Sequence, residues 1–228
     1  MSLRDIIQPE NTVAVFIRDV ILVLLIVGGI GVLLYAAAGT WPALVAVESG
    51  SMETNLSTYS LVFVVDENRF GGWMPQDQAI TEGANPVFNW YGDVIVYQPN
   101  GMKGVTPIIH RAITVISAEE AATVWGYEGS AAHGGVITKG DNEATNALCD
   151  QMGQFPRYGI TRMEPVKEEW IVGKALFAIP LVGWIPLNMI PTLIIAVILI
   201  LALDLGGRLV AKKKGEKSSK KADGKKRR

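Results

Sequence analysis

Two apolar stretches lie towards the two ends of the chain, and a more polar segment lies between them. Residues 20–38 contain no charged side chain, and about twenty apolar residues are what a helix needs to cross a membrane. This stretch is longer than the core of a usual secretion signal and follows acidic residues, so we expect a retained anchor. The second stretch, residues 185–205, has prolines in its first half and is cleanly apolar from Pro191 to Leu203. It predicts a second, shorter transmembrane segment.

The segment between them contains short runs of β-branched and aromatic residues bounded by turn-forming residues, a pattern that predicts strands. Few long stretches have a helical period. We therefore predict a mainly β fold, an antiparallel β domain that is partly closed or sandwich-like, flanked by N- and C-terminal transmembrane helices. The runs that predict strands are Tyr59–Asp66, Gly92–Gln98, Pro107–Ile116 and Gly134–Asp141.

Residues 67–90 are predicted to form an insertion in this β domain. The insertion is polar overall, yet it holds large apolar side chains. We expect these side chains to pack beneath a loop; the alternative is that they dip into the membrane interface, where amphipathic rings are favoured. They are Phe70, Trp73, Met74, Phe88 and Trp90.

The charge distribution predicts the orientation. Residues 208–228 carry eleven basic and two acidic side chains, whereas residues 39–184 carry eight basic and sixteen acidic ones. Because Lys and Arg are retained on the cytoplasmic side, we expect both termini inside and the middle segment outside the cell membrane. The basic tail is interpreted as a topology signal that touches anionic headgroups, not as a nucleic-acid site. The predicted organisation is a cytoplasmic N-terminus at 1–19, an anchor at 20–38, an extracytoplasmic catalytic domain at 39–184, a second span at 185–205 and a cytoplasmic tail at 206–228.

A serine, a histidine and two aspartates are the candidates for chemistry. Ser51 lies in a turn about a dozen residues beyond the first apolar stretch, so the tether keeps it near the membrane. His110 lies in a predicted strand, Asp141 at a strand end and Asp150 in the loop beyond. A hydroxyl becomes a nucleophile when an imidazole takes its proton and a carboxylate holds the ring. Singly, each of these residues is more often structural.

The order of these motifs resembles that of type I signal peptidases of the archaeal and endoplasmic-reticulum kind, which are serine endopeptidases. The similarity covers about residues 45–187, and ordered segments are more specific than any single motif. After the N-terminal anchor they are SGSMETNL, GDVIVY, IIHRAI, TKGDN with a later aspartate, and IVGKALFAIPLVGWIPL. The resemblance implies cleavage of signal peptides from preproteins after small residues, at A-x-A sites, during or after translocation. The implied partners are those preproteins, the lipid bilayer and translocation machinery, with no cofactor and no nucleic acid.

The resemblance also implies roles for individual residues. Ser51 is the implied nucleophile, and His110 the base where bacterial relatives use lysine. Asp141 is preferred as the acidic partner, with Asp150 a close second. The Ser49 hydroxyl and the backbone N–H of Ser51 are the implied oxyanion donors, a kind of contact that contributes about 2.7 to 4 kcal/mol to a transition state.

Three features depart from the family pattern. Thr54 stands where a proline is usual, which loosens the turn without changing the reacting groups. The insertion at 67–90 lengthens the separation between the serine and histidine motifs. The gap between Asp141 and Asp150 is also longer than usual, so the sequence ranks the two aspartates poorly.

Other interpretations remain open at this point. His133, in a Gly- and Ala-rich turn, is an alternative base. A metal site is a further alternative, although the spacing of its ligands would match no familiar zinc pattern; the ligands would be His110, His133, Asp141 and Cys149. The single cysteine excludes an internal disulfide and is expected to be incidental. The alternative functions are a noncatalytic membrane-anchored subunit of a translocation or processing complex, and a different hydrolase using the same side chains.

Overall fold

The computed structural model describes residues 12–153, 155–199 and 202. The chain divides into two units, Met1–Gly183 and Trp184–Arg228, which are described separately. The first unit contains a long N-terminal helix, one β-sheet and short helices. It is therefore a mixed α/β unit rather than the mainly β domain predicted from the sequence.

Helix α1, Thr12–Ala38, contains the predicted anchor. Within Val13–Ala38, a window of 18 residues has a mean hydropathy of 2.8, and none of that window is buried inside the molecule. At about 1.5 Å per residue, the helix is about 40 Å long, against a hydrocarbon core of about 30 Å. It is the one helix among the described residues that is long and apolar enough to cross a membrane.

The C-terminal end of α1 is bound to the sheet by hydrogen bonds that satisfy its last carbonyl groups. The backbone N–H of Asp66 donates to the Ala38 carbonyl at 2.8 Å. The Arg69 guanidinium donates to the Ala36 carbonyl at 2.7 Å. Because the last carbonyls of a helix have no partner within it, these bonds join the helix firmly to the following domain.

The sheet has six antiparallel strands in the order β1-β2-β6-β3-β4-β5. Each of the four predicted runs contains a strand, while β1 and β6 were not predicted. Two short helices, α2 (Gln76–Glu82) and α3 (Ala118–Thr123), lie in the connections. The strands are β1 (Leu44–Ala46), β2 (Leu61–Val65), β3 (Val94–Tyr97), β4 (Ile108–Ile116), β5 (Gly135–Lys139) and β6 (Ile171–Ile179).

Strand β3 is buried on both faces, which explains its continuous apolar sequence VIVY. Val94 and Val96 pack into a core with the residues around the Ser51 turn. Ile95 and Tyr97 point to the opposite face and pack into a second core. Side chains alternate along a strand, so consecutive β3 residues contribute to two different cores.

Strand β6 lies just before the second apolar stretch, where no strand was predicted. Lys174 interrupts the apolar pattern there, but it lies in the strand between β2 and β3. Its side chain is buried, and its ammonium donates to the carbonyl groups of Gly71 and Gly72. The positive charge is therefore accommodated inside the fold by backbone oxygens of the insertion.

The insertion at 67–90 contains α2 and only partly follows the packing prediction. Trp73 and Phe88 pack against the two cores. Phe70 and Trp90 are exposed, with 68% and 54% of their surfaces accessible. The expectation of aromatic side chains beneath a loop therefore holds for two of these rings and is wrong for the other two.

The C-terminal unit contains α4, Trp184–Leu187, and a second helix, α5, Met189–Leu199. Helix α5 is apolar, and its described residues, about 16 Å in length, do not by themselves amount to a membrane span. The predicted second span is therefore not supported. The expectations for residues 1–11 and for the basic tail at 206–228 lie outside the described residues.

Candidate catalytic site

Ser51, His110 and Asp150 form a continuous chain of hydrogen bonds. The Ser51 hydroxyl lies 2.9 Å from His110 Nε2, and His110 Nδ1 lies 2.7 Å from Asp150 Oδ2. They come from a short turn at Gly50–Met52, from β4 and from a second turn at Asp150–Met152. The fold thus brings together residues that lie far apart in the sequence.

The turn that carries Ser51 is fixed by the loop after β5. The backbone N–H of Asn142 donates to the Ser51 carbonyl at 2.9 Å, and its side-chain amide donates to the Gly50 carbonyl at 2.7 Å. Gly140 permits this close approach, because a Cβ atom there would lie 2.5 Å from the Ser51 carbonyl oxygen. Met52, fully buried, anchors the other side of the turn.

The surroundings of His110 favour one tautomer of its ring. The side chain is 4% exposed, and an ionised carboxylate only accepts hydrogen bonds. The Nδ1–H of His110 therefore donates to Asp150, which leaves Nε2 as the atom that can accept a proton from Ser51. This is the arrangement that general-base activation of a hydroxyl requires.

Asp150 is buried and surrounded by donors. It is 2% exposed, and its Oδ2 atom also accepts hydrogen bonds from the Tyr97 hydroxyl at 2.8 Å and from the Thr138 hydroxyl at 2.7 Å. Burial, and secondarily the charge of Asp150, raises the pKa of Tyr97 well above its ordinary value. Tyr97 therefore stays protonated and remains a donor.

Asp141 occupies a different place from the one preferred in the sequence analysis. It accepts hydrogen bonds from Arg111 at 2.8 and 2.5 Å and from the Asn55 amide at 3.0 Å. Arg111 is 1% exposed and also donates to the Gly92 carbonyl. The preference for Asp141 over Asp150 as the partner of His110 is therefore wrong in geometry: Asp150 contacts the ring, whereas Asp141 braces the segment after the serine turn.

A cleft of about 280 Å³ opens beside Ser51 and His110. The residues that line it include 45–49, which contain the end of edge strand β1, and 106–109 and 155–158. Ser49 is one of these lining residues, and its hydroxyl is 3.3 Å from the Ser51 hydroxyl. The predicted oxyanion donor is thus close to the candidate nucleophile and open to solvent.

Among the described residues, His133 has other partners than Ser51, and the alternative metal ligands do not form a metal site. His133 lies 3.0 Å from Glu164 and 2.8 Å from the Gly134 carbonyl, and its ring packs edge-on against Trp170. In the part of the chain that the structure describes, no group of three His, Cys, Asp or Glu side chains is arranged to hold a metal ion. Burial raises the pKa of the Cys149 thiol, with a further contribution from Asp150, which disfavours a reactive thiolate.

Tyr97, Thr138, Arg111 and Asn142 were not identified as site residues from the sequence. Tyr97 and Thr138 lie in apolar runs that predict strands, and only the pairing register shows that they share a sheet face with His110. Arg111 and Asn142 are direct neighbours of predicted site residues, which is the one sequence signal that they give.

No family model matches this chain, and no curated protein is significantly similar to it. The hydrogen-bonded geometry of Ser51, His110 and Asp150 is therefore the structural basis for a function.

Proposed function

We propose that this chain is a membrane-anchored serine endopeptidase of the signal peptidase I kind, which cleaves signal peptides from preproteins. Ser51 is the proposed nucleophile, His110 the general base and Asp150 the carboxylate that orients the base. The observation that carries the proposal is the hydrogen-bond chain from Ser51 through His110 to a buried carboxylate. Acyl transfer by a Ser-His-Asp triad uses these three groups in this order.

An extended polypeptide is the substrate form that suits the cleft. Among the described residues, strand β1 is an edge strand that pairs with β2, and its residues Val45 and Ala46 line the cleft. A peptide strand added to such an edge gains backbone hydrogen bonds, while pockets select alternate side chains. The preference for small side chains ahead of the cut is carried over from the sequence resemblance.

A bilayer at the end of α1 is the proposed setting for the reaction. Leu44, Phe63 and Phe177 are cross-strand neighbours on one face of the sheet, with the two phenylalanine rings stacked at 5.2 Å. Leu44 and Phe177 are exposed, as is Trp41, three residues after the helix ends. Exposed apolar and aromatic side chains next to a membrane helix are suited to the membrane interface. The charge asymmetry of the sequence supports an extracytoplasmic catalytic unit.

The test is cleavage of a preprotein by the full chain in phospholipid vesicles. The substrate carries alanine at the two small positions ahead of the cut, and mass spectrometry of the product identifies the cleaved bond. We expect cleavage by the unchanged chain, loss of cleavage with Ser51→Ala and with His110→Ala, and retained cleavage with His133→Ala. Replacing the alanine next to the cut with tryptophan should stop the reaction.

Each alternative predicts a different result in this assay. Equal product from the unchanged chain and Ser51→Ala would reject the enzyme assignment and favour a noncatalytic membrane-anchored subunit. Serine-dependent hydrolysis of a simple ester with an intact preprotein would indicate a different hydrolase. Unchanged turnover of the tryptophan substrate would reject the small-residue pocket.

A further inference from the structure

We propose that Tyr97 and Thr138 are positioning residues, which fix the Asp150 carboxylate in place and moderate the hydrogen bond that it accepts from His110. This inference deepens the proposed function and rests on it for its catalytic meaning. Both side chains contact the carboxylate rather than the substrate cleft. Their effect on the reaction must therefore pass through Asp150.

The strand register explains why these side chains converge. His110 on β4 is paired with Ile95 on β3, so Tyr97, two residues along β3, projects from the same face of the sheet. Thr138 on β5 is paired with Ala112, two residues from His110 on β4, and shares that face as well. Three neighbouring strands thus each direct one polar side chain towards Asp150.

The three donors converge on a single oxygen. Asp150 Oδ2 accepts from His110 Nδ1, from the Tyr97 hydroxyl and from the Thr138 hydroxyl, all within 2.8 Å. The other oxygen, Oδ1, is buried and has no hydrogen-bond partner among the described residues. The two hydroxyl groups therefore act on the oxygen that faces the imidazole.

Two consequences follow from this convergence. Donors that bind the ionised form of a carboxylate stabilise its charge, which a buried aspartate requires. They also compete with the imidazole for the electron density of the same oxygen, so they weaken the hydrogen bond from His110. Removing one hydroxyl should strengthen that hydrogen bond and make the imidazole hold a proton more tightly.

The other titratable groups around the carboxylate lie on different elements. Tyr158, in the turn at Pro156–Tyr158, interacts electrostatically with Tyr97. Cys149 precedes Asp150, and Lys139 at the end of β5 interacts with that thiol. None of these three groups donates a hydrogen bond to Asp150 in the structure as described, so Tyr97 and Thr138 are the side chains to alter.

The test uses the full chain in detergent micelles with histidine labelled for NMR. The chain has only two histidines, so the Nδ1 proton of His110 is observed with His133 as an internal reference. We expect Tyr97→Phe and Thr138→Val each to move the His110 Nδ1 proton downfield and to leave His133 unchanged. The acidic limb of the pH profile of kcat/KM should move to higher pH by about 0.5 unit, the scale of a modest change in one hydrogen bond.

Tyr127→Phe is the matched control, because it also removes a buried phenol hydroxyl. Tyr127 donates to the backbone carbonyls of Gln151 and Met163 and not to the carboxylate. An unmoved His110 proton in both test variants, or an equal movement in the control, would overturn the inference. If Tyr97→Phe fails to fold, Thr138→Val decides by the same criterion. A moved proton in a chain that cleaves no preprotein would uphold the network and reject the proposed function.

Discussion

Exchanging each aspartate for asparagine should separate catalysis from stability. In Asp150→Asn an amide replaces the carboxylate that accepts from His110 at 2.7 Å. If the amide group donates to Nδ1, the proton must move to Nε2, which can then no longer accept from Ser51. The corresponding exchange in a serine protease triad lowers kcat by about 10⁴, or about 5 kcal/mol of transition-state stabilisation. We expect a loss of that order with the fold retained.

Asp141→Asn should have the opposite profile. Its carboxylate pairs with Arg111, which is 1% exposed, so the exchange leaves a buried cation without its counter-ion. Breaking a buried pair costs about 3 to 5 kcal/mol, which corresponds to a fall of roughly 6 to 20 °C in melting temperature for a unit of this size. The kcat of the folded fraction should fall by less than about tenfold, because the hydrogen bond from His110 to Asp150 is intact.

The measurements are kcat on a preprotein at saturating concentration and the melting temperature in detergent micelles, for both variants and the unchanged chain. The reasoning fails if Asp141→Asn abolishes turnover at an unchanged melting temperature while Asp150→Asn stays active. That result would return the orienting role to Asp141.

Three further changes test other parts of the site. Ser49→Ala should lower kcat by about 100-fold with little change in KM, because the Ser49 hydroxyl is the proposed oxyanion donor. Ser49→Thr, which keeps a hydroxyl, should restore part of the lost kcat. A kcat in Ser49→Ala equal to that of the unchanged chain would reject this role. Gly140→Ala should displace the Ser51 turn and abolish cleavage, whereas Gly72→Ala, which has open space around its Cβ, should leave cleavage unchanged. Full activity of Gly140→Ala would contradict the close approach of Gly140 to the Ser51 carbonyl. Because burial raises the pKa of Tyr97, the contribution of this side chain to stability is complete below about pH 10 and declines as pH rises above that value. Urea denaturation from pH 8 to 11 should therefore show a smaller fall in the free energy of unfolding for Tyr97→Phe than for the unchanged chain. An identical fall in both would contradict the raised pKa of Tyr97.

The strands that were predicted correctly are those with a strong local pattern. Runs of β-branched residues bounded by turn-forming residues gave β2 to β5. Strand β1 is only three residues long and carries no such run. Strand β6 was missed because its apolar residues lead into the next apolar stretch, and Lys174 interrupts its apolar pattern. Only the tertiary structure supplies the carbonyl oxygens that allow Lys174 to be buried.

The candidate site was predictable in its residue types but not in its connections. Ser51 and His110 were identifiable because each lies in a distinctive motif. The choice between Asp141 and Asp150 depends on how the loop after β5 returns to the sheet, and no local pattern encodes that path. The roles of Tyr97 and Thr138 depend on the pairing of β3, β4 and β5, because a shift by one residue would turn these side chains to the other face.

The joint between α1 and the sheet determines how the cleft is oriented about the helix axis. The carbonyl groups of Ala36 and Ala38 accept hydrogen bonds from Arg69 and Asp66, so the last turn of α1 is joined directly to the residues that follow β2. One extra residue in the last turn of α1 would swing the cleft by about 100° around the helix axis and raise it by only about 1.5 Å. The length of α1 therefore affects the rotation of the cleft about the helix axis more strongly than its displacement along that axis.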